Sequence, residues 1–439
     1  VSGWFRPHAR TVAGEVKPGS RLTLRSAPDR GKPGPGRPTG GKTAMKWVIT
    51  GASGFVGQAL VPRLRAAGVE VILVGRNPEA LARLHPGAGT CRYEDIATAG
   101  QGADALLHMA TRNSDAGGDA AAFEAANVTL TRTVLDAARA AGIPRLVFTS
   151  SLHALREGDA SPYATTKRRA AALVRDAQGI EGVVLTLAAV YGPRFAGKLA
   201  ILNDRPPLVQ RAGLAVLSAL RPVLHVDRLA AHLLAGKGDA ILTDGQAGNP
   251  VFGWAKRGLD LAFALFVIAA LWWLLLAVWV AIRATSPGPG LFAQTRVGRH
   301  GRPFTCWKFR TMAEGTKQAG THEVSSASVT PLGRILRKTK VDELPQVWNI
   351  LKNEISLVGP RPCLPVQEEL VAERRARGVL AIKPGITGLA QIEGIDMSTP
   401  ETLAARDAEY IALQSLPLEL KIILATATGG GQGDRVRAG

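Results

Sequence analysis

The residues best suited to chemistry in this chain are an adjacent acid pair, Asp342 and Glu343, in the stretch VDELPQVWNILKNEISLVGPRP at 341–362. Arg334, Arg337, Lys338 and Lys340 lie just upstream, and Arg361 sits downstream in a Gly-Pro-Arg-Pro turn. A carboxylate approaches an anionic phosphate only where cations or a metal ion offset the repulsion. Acid in a basic frame is therefore the composition that attack at phosphorus requires. The same pair also suits a structural task, with Asp342 as N-cap of a helix over 344–351 and Glu343 complementing its dipole. On these residues alone both readings stand.

A second set is Ser151, Tyr163 and Lys167. Ser151 follows an apolar run at 145–149, and Tyr163 and Lys167 are four apart on a helix opened by Ser161 and Pro162, so they share a face. A lysine ammonium beside a tyrosine lowers the phenol pKa and makes it a usable general acid or base, while the serine hydroxyl can hold a carbonyl oxygen being reduced. A Tyr-x-x-x-Lys pair is common by chance and gains meaning from the turn far upstream, Gly51-Ala-Ser53-Gly54-Phe55-Val56-Gly57. That turn lies between a short apolar strand at 46–50 and a helical pattern through Leu64. The first glycine permits the tight turn, the second lets backbone approach a pyrophosphate at the helix N-terminus, and the third allows close helix packing. The next strand, at 69–75, ends in Arg76, where an NAD-preferring site offers an acid to the ribose hydroxyls. Arginine there suits a 2′-phosphate, which favours NADP(H) over NAD(H).

The elements that must position these groups differ between the two halves. Strands at 105–108 and 145–149, separated by a helical stretch at 120–141, alternate with helices as a parallel, doubly wound sheet requires. Residues 259–282 then run 24 positions with one charge, Asp260. As a helix this segment would measure roughly 36 Å, against a hydrocarbon core of about 30 Å, and it has no polar face. Lys256 and Arg257 precede it and Arg283, Arg296 and Arg299 follow, so both flanks carry the charge of a cytoplasmic side. A helix that enters and returns on one face is expected. Beyond it, glycine and proline turns alternate with cations, as in SPGPG at 286–290, KFRTM at 308–312 and KPGITG at 383–388, a composition that lines anion sites.

Composition sets the outer bounds. A chain of 439 residues suggests two domains, and a net charge of +19 permits nucleic acid, anionic lipid or phosphorylated substrates as partners. The basic half has few aromatic residues outside the apolar segment and no nucleic-acid motif, so nucleic acid is not an expected partner. Cys91, Cys306 and Cys363 are far apart, which fits a reducing compartment. Residues 1–44 are basic, rich in proline and glycine and without apolar period; they are read as a disordered tail without a signal peptide, or as sequence upstream of a true start at Met45.

Residues 46 to about 240 resemble the extended short-chain dehydrogenase/reductases, the nucleotide-sugar epimerases, dehydratases and 4-ketoreductases. GASGFVG, the strand ending at His108, Asn127-Val128, Ser151, YATTK at 163–167, VYGP at 190–193 and His225-Val-Asp227 lie in family order. The resemblance implies cofactor contacts from Gly51, Ser53, Gly54, Phe55, Val56, Gly57, Arg76, Asp95 and Lys167, and catalysis by Ser151, Tyr163 and Lys167. Leu187-Ala188 replaces the family's Arg-Pro, and the substrate-binding lobe is short.

The remainder resembles the bacterial sugar transferases, monotopic polyprenol-phosphate phosphoglycosyltransferases, through KRGLD at 256–260, SPGPGLFAQTRVG, KFRTM, DELPQVWNILKNEISLVGPRP and KPGITGLAQ. It implies that Asp342 attacks the β-phosphate of a UDP-sugar, expels UMP and forms a phosphosugar enzyme that polyprenol phosphate resolves. Glu343 would support acid/base and Mg²⁺ work, with Asp342 and Glu343 as metal ligands, and Lys308, Arg310, Arg337 and Arg361 would hold phosphates or nucleotide. Family members break the membrane helix with a Ser-Pro pair; Trp272-Trp273 stand there in this chain, so a straighter helix is expected.

The expected fold is therefore α/β: a Rossmann-like doubly wound parallel sheet over 45–250, a membrane-inserted, re-entrant helix over 251–284, a small mostly α transferase domain over 285–430 and a flexible tail over 431–439. The expected function is bifunctional: NAD(P)-dependent modification of a UDP-sugar, first of all 4-keto reduction, then transfer of its phosphosugar to polyprenol (undecaprenyl) phosphate. Alternatives for the first half are C4 epimerisation or a nucleotide-binding regulatory module without turnover. The expected setting is the bacterial inner membrane, both domains on its cytosolic face among inner-membrane lipid, with homo-oligomerisation left open.

Overall fold

The computed structural model describes residues 45–113, 117–156, 158–316 and 328–430; the two terminal tails proposed above lie outside these residues. The first half is built on β1 (Lys46–Thr50), β2 (Glu70–Val74), β3 (Gly89–Cys91), β4 (Ala105–His108), β5 (Arg145–Ser151) and β6 (Glu181–Leu187). A short pair, β7 (Ala189–Tyr191) and β8 (Val223–His225), lies beside the main sheet, which β9 (Ala240–Leu242) completes. The main sheet has seven parallel strands in the order β3-β2-β1-β4-β5-β6-β9. Its central strands are apolar on both faces because both are covered. Trp47 and Ile49 of β1 join the helices Phe55–Ala66 and Val226–Leu234 on one side, while Val48 joins Leu130–Ala140 and Pro162–Arg175 on the other. The strand order reverses between β1 and β4, which opens the crevice above their C-terminal ends where ligands bind in such sheets. The helical stretch expected over 120–141 is interrupted by a π turn, Ala125–Thr129, which points Asn127 inward to accept from Arg112 N and donate to Thr166 Oγ1.

One helix, Pro250–Thr285, carries the chain into the second half. Asn249 caps it through Val251 N and Phe252 N, and it runs without a break through Trp272 and Trp273, as expected of residues that remove no backbone hydrogen bond. Only 17% of its most apolar window is buried, which separates it from the core helix of a soluble domain. The covered residues form one stripe. Ala264 and Val267 pack with Val347, Ile350 and Ile355, and Val278 and Ile282 pack with Phe309 and Leu336. The segment thus runs straight, as Trp272-Trp273 led one to expect, and packs against its own domain over both of these stretches.

The second half is small and mostly helical. An antiparallel hairpin, β10 (Leu291–Val297) and β11 (Pro303–Phe309), and a parallel pair, β12 (Ser356–Val358) and β13 (Gly385–Thr387), are set among the helices Pro331–Thr339, Glu368–Ala376, Pro400–Leu413 and Leu416–Ala427. The halves touch: Gln246 Nε2 donates to the Gln414 carbonyl, 2.9 Å, in a buried seam.

Candidate active sites

The acid pair sits where three elements meet. Helix Pro331–Thr339 ends at Lys340, whose left-handed φ of 58° turns the chain into a 3₁₀ segment, Val341–Gln346, followed by helix Val347–Leu351. Such a conformation is costly for a residue with a side chain and is retained where the surroundings fix it. Asp342 does not cap the helix; it is buried and accepts no hydrogen bond among the described residues. Glu343 is engaged, its Oε1 receiving Lys308 Nζ from β11 at 2.9 Å and Arg361 Nη2 from the Gly-Pro-Arg-Pro turn at 3.0 Å. Burial, then the Glu343 charge, push the Asp342 carboxyl up to about 6, against the pull of Lys308, Arg337 and Arg361. The result is a carboxylate without a committed partner in a field of cations.

Of the four cations expected to bind phosphate, Lys308 and Arg361 are at the acid pair. Arg337 acts on Asp342 through its charge while its Nε donates to Thr311 Oγ1. Arg310 is buried and ties down the chain after the long helix by donating to the Ser286 carbonyl, 2.8 Å. The concavity beside Glu343 is also lined by Arg296, Cys306 and Gln346, which the sequence reading did not select. Arg296 was read only as a flanking charge, yet its Nη1 donates to the Pro362 carbonyl, 2.9 Å, and so holds the turn that carries Arg361.

The KRGLD segment proves to be a clasp. Lys256 Nζ donates to the Val358 carbonyl and pairs with Glu419, Arg257 Nη1 donates to the Ile350 carbonyl, and Asp260 Oδ1 receives Ser356 Oγ and Leu357 N, both at 2.8 Å. Lys256 and Arg257, read from the sequence as the charge of a cytoplasmic flank, thus fix the apolar helix to the second half.

Two adjacent carboxylates suit a Mg²⁺ ion that takes its other ligands from substrate phosphates and water. Among the described residues no cluster of three or more potential ligands occurs, so the protein's own ligands would be Asp342 and Glu343.

In the first half the glycine turn closes tightly. Gly51 has φ 78°, and a Cβ there would fall 2.6 Å from Ala110 N; at Gly57 it would fall 2.5 Å from the Gly51 carbonyl oxygen. Gly54 begins helix Phe55–Ala66 with no side-chain cap, leaving first-turn N–H groups for an anion, and Ser53, Phe55 and Val56 stand at its mouth. This cradle fits a dinucleotide pyrophosphate. Arg76 is exposed at the end of β2, within Coulomb reach of Tyr93, and Asp95 accepts from Arg92 N in the turn after β3.

The predicted triad gathers at the end of β5. Lys167 Nζ donates to the Thr149 carbonyl, 2.8 Å, and to Thr111 Oγ1, 2.9 Å, and lies over the Phe148 ring. Burial lowers its pKa to about 7. Ser151 Oγ accepts from His153 N, and the His153 ring meets the Tyr163 ring edge-on at 5.8 Å. The sequence reading passed over His153 and gave His108 no role beyond ending a strand. His153 is held by Asp159 and by Arg221 Nη2, 2.9 Å, and buried His108 links Thr50 to Thr131, its pKa lowered to about 3 by burial and Lys167. Neither role has a local signature.

Comparison with known proteins divides the chain at the same place. The family described as bacterial sugar transferase matches residues 251–430, and the NAD dependent epimerase/dehydratase family matches residues 47–235. The sugar transferase EpsL of Bacillus subtilis is 40% identical over 171 residues, 39% of this chain and 84% of EpsL. A UDP-glucose:undecaprenyl-phosphate glucose-1-phosphate transferase of Caulobacter vibrioides is 41% identical, covering 39% of this chain and 67% of that one. A UDP-N-acetylgalactosamine-undecaprenyl-phosphate N-acetylgalactosaminephosphotransferase of Aeromonas hydrophila is 30% identical, covering 47% of this chain and 51% of its own length. Among solved structures, a UDP-glucose 4-epimerase of Thermotoga maritima is 20% identical with TM-score 0.37, covering 45% of this chain and 77% of that one.

Proposed function

The chain belongs to the bacterial sugar transferase family and carries an epimerase/dehydratase-family domain in front of it, and from that premise we propose a two-step membrane enzyme. Its second half transfers a phosphosugar from a UDP-sugar to polyprenol (undecaprenyl) phosphate, and its first half reduces a 4-keto UDP-sugar with NADPH or NADH. The observation that carries the transferase reading is Asp342, buried and uncommitted, while its neighbour Glu343 is held by two cations.

In the first step an Asp342 oxygen attacks the β-phosphorus of the UDP-sugar. The bond from that phosphorus to the bridging oxygen breaks, UMP leaves with the oxygen, and the phosphosugar remains as an acyl phosphate on Asp342. In the second step a phosphate oxygen of the lipid attacks the same phosphorus and returns the carboxylate. Lys308, Arg337 and Arg361 stabilise the charge that develops on the transferred group. Bound Mg²⁺ would neutralise phosphate charge, with Asp342 and Glu343 as its protein ligands. Side-on attachment of the apolar helix keeps this site at one face of the bilayer, the cytosolic face of the inner membrane in this reading, where the lipid phosphate lies.

In the first half, the glycine turn Gly51–Gly57 would hold a nicotinamide dinucleotide, which would supply a hydride to the sugar carbonyl carbon. Tyr163 gives its phenolic proton to the carbonyl oxygen, Ser151 donates a hydrogen bond to that oxygen, and Lys167 sets the charge beside the phenol. Arg76 at the end of β2 favours NADP(H).

The deciding experiment incubates the full chain in lipid with UDP-sugars and polyprenol phosphate. UMP release that needs Asp342, with a phosphosugar adduct on the protein when lipid is withheld, is the expected result; UDP release would overturn it. For the first half, oxidation of NADPH by a 4-keto UDP-sugar is expected, whereas a C4 epimer formed without net cofactor oxidation would assign epimerisation.

A further inference from the structure

Helix Pro207–Leu220 of the first half leaves an apolar stripe uncovered. Leu208, Ala212, Val216 and Leu220 are exposed at every fourth position and so fall on one face, with Leu208 78% and Val216 46% exposed. Val209 and Ile201 beside them are exposed too. The other side of the helix is in use, Leu214 and Leu217 packing on the cluster of Phe195, Leu199, Leu202 and Val223. The stripe is framed by cations: Arg194, Lys198, Arg205, Arg211 and Arg221 are all exposed, and Asp204 is the one acidic residue over 194–221.

This helix is bound to the root of the long apolar helix. Asn249, the cap of that helix, donates from Nδ2 to the Ala215 carbonyl and to Ser218 Oγ, both at 3.0 Å. One turn further on, Trp254 is 82% exposed and stands in the same four-residue register as Gly258, Ala262 and Phe266 on the uncovered face. Uncovered apolar side chains thus lie on both of two helices that meet at Asn249, the long helix and the one near the end of the first half.

We propose that Pro207–Leu220 is a second membrane contact, an amphipathic helix lying in the headgroup region of an anionic bilayer. The proposal rests on the reading that the long helix is embedded in that bilayer. The occupant is a lipid surface because the apolar stripe is bordered by basic residues, the pattern of helices that lie in an interface, and because the stripe joins a helix too apolar and too exposed to stay in water. Seating has a consequence for the nearby chemistry. Arg221, directly after the helix, holds His153, which packs against Tyr163, so the contact helix is wired to the rim of the reductase site. A nucleotide sugar leaving that site would emerge at the membrane that the transferase site faces.

The test uses the full chain in vesicles of anionic phospholipid with brominated acyl chains. Environment-sensitive labels are placed through Val216→Cys, Trp272→Cys and Asp136→Cys, and the three native cysteines, all buried, leave the label selective. Quenching is expected at positions 216 and 272 but not at 136, which lies exposed on helix Leu130–Ala140. Quenching at 272 with none at 216 overturns the proposal while the embedded long helix stands; no quenching at 272 removes the reading beneath it. A disulfide formed between two copies through position 216 in place of quenching assigns the stripe to a second copy and also overturns the proposal. Adding Arg205→Glu and Arg211→Glu should reduce quenching at 216 to the level of the 136 control and leave 272 unchanged; unchanged quenching at 216 would refute the role of the cations.

Discussion

Two buried titratable groups, one in each half, are pushed toward neutrality from opposite ends. Burial brings Lys167 down to about 7 and, with the Glu343 charge, brings Asp342 up to about 6. Their surroundings are otherwise opposite. Lys167 donates to Thr111 and Thr149 and lies over an aromatic ring, whereas Asp342 accepts no hydrogen bond among the described residues and feels only charge. A satisfied group positions its neighbours; an unsatisfied one is kept for a substrate. In the proposed reactions their working states also differ in sign, since Asp342 would attack as the ionised carboxylate above its pKa and Lys167 would assist Tyr163 as the ammonium below its own.

The sharpest way to break the comparison is Asp342→Asn, which keeps the shape and removes the nucleophile. UMP release should fall about 10⁴-fold or more, as for lost nucleophiles elsewhere, while reduction by the first half is unchanged. Tyr163→Phe should do the converse and slow NADPH oxidation about 10³-fold with UMP release intact. Lys256→Ala tests the clasp that holds the site to the membrane helix. It leaves Glu419 buried without its cation and should cost about 3 kcal/mol, read as a lower thermal midpoint in detergent, with part of the loss recovered in the double variant that adds Glu419→Gln. The pH profiles come next. Initial rates of UMP release should rise through about pH 6 as Asp342 ionises, and reduction should fall above about pH 7 as Lys167 loses its proton. Glu343→Gln should move the transferase limb to lower pH, because the carboxylate that raises the Asp342 pKa is gone; a limb that stays put would separate the two acids. The smallest effect is Arg76→Ala, expected to raise the KM for NADPH about tenfold, one charge-assisted contact, with little change for NADH.

What could be read from the sequence was what is local. The glycine turn, Tyr163 and Lys167 one helical turn apart, the acid pair and the unbroken apolar run each announce themselves within a few residues, and the parallel sheet follows from alternating periods. What could not be read was long-range. Lys256 meets Val358 102 positions away and Glu419 163 positions away, and no period marks either partner. Asp260 reads from sequence only as the single charge of an apolar segment because Ser356 and Leu357, which bond its Oδ1, lie on another element. His153 and Arg221 meet only because β5 and the end of helix Pro207–Leu220 come together. The helix expected over 344–351 begins instead at Val347, because the left-handed Lys340 leads into a tighter 3₁₀ turn first.

The clasp on the apolar helix also sets an order of assembly. Lys256 and Asp260 leave the ribosome well before their partners Ser356, Leu357 and Glu419, the last of these 163 residues after Lys256. At about 5–20 residues per second, that is an interval of roughly 8–30 s. During it the most apolar part of the chain is already made and its domain does not yet exist. Lipid is then its available shelter, so the nascent chain should reach the membrane before its second active site has formed, and that site is completed there.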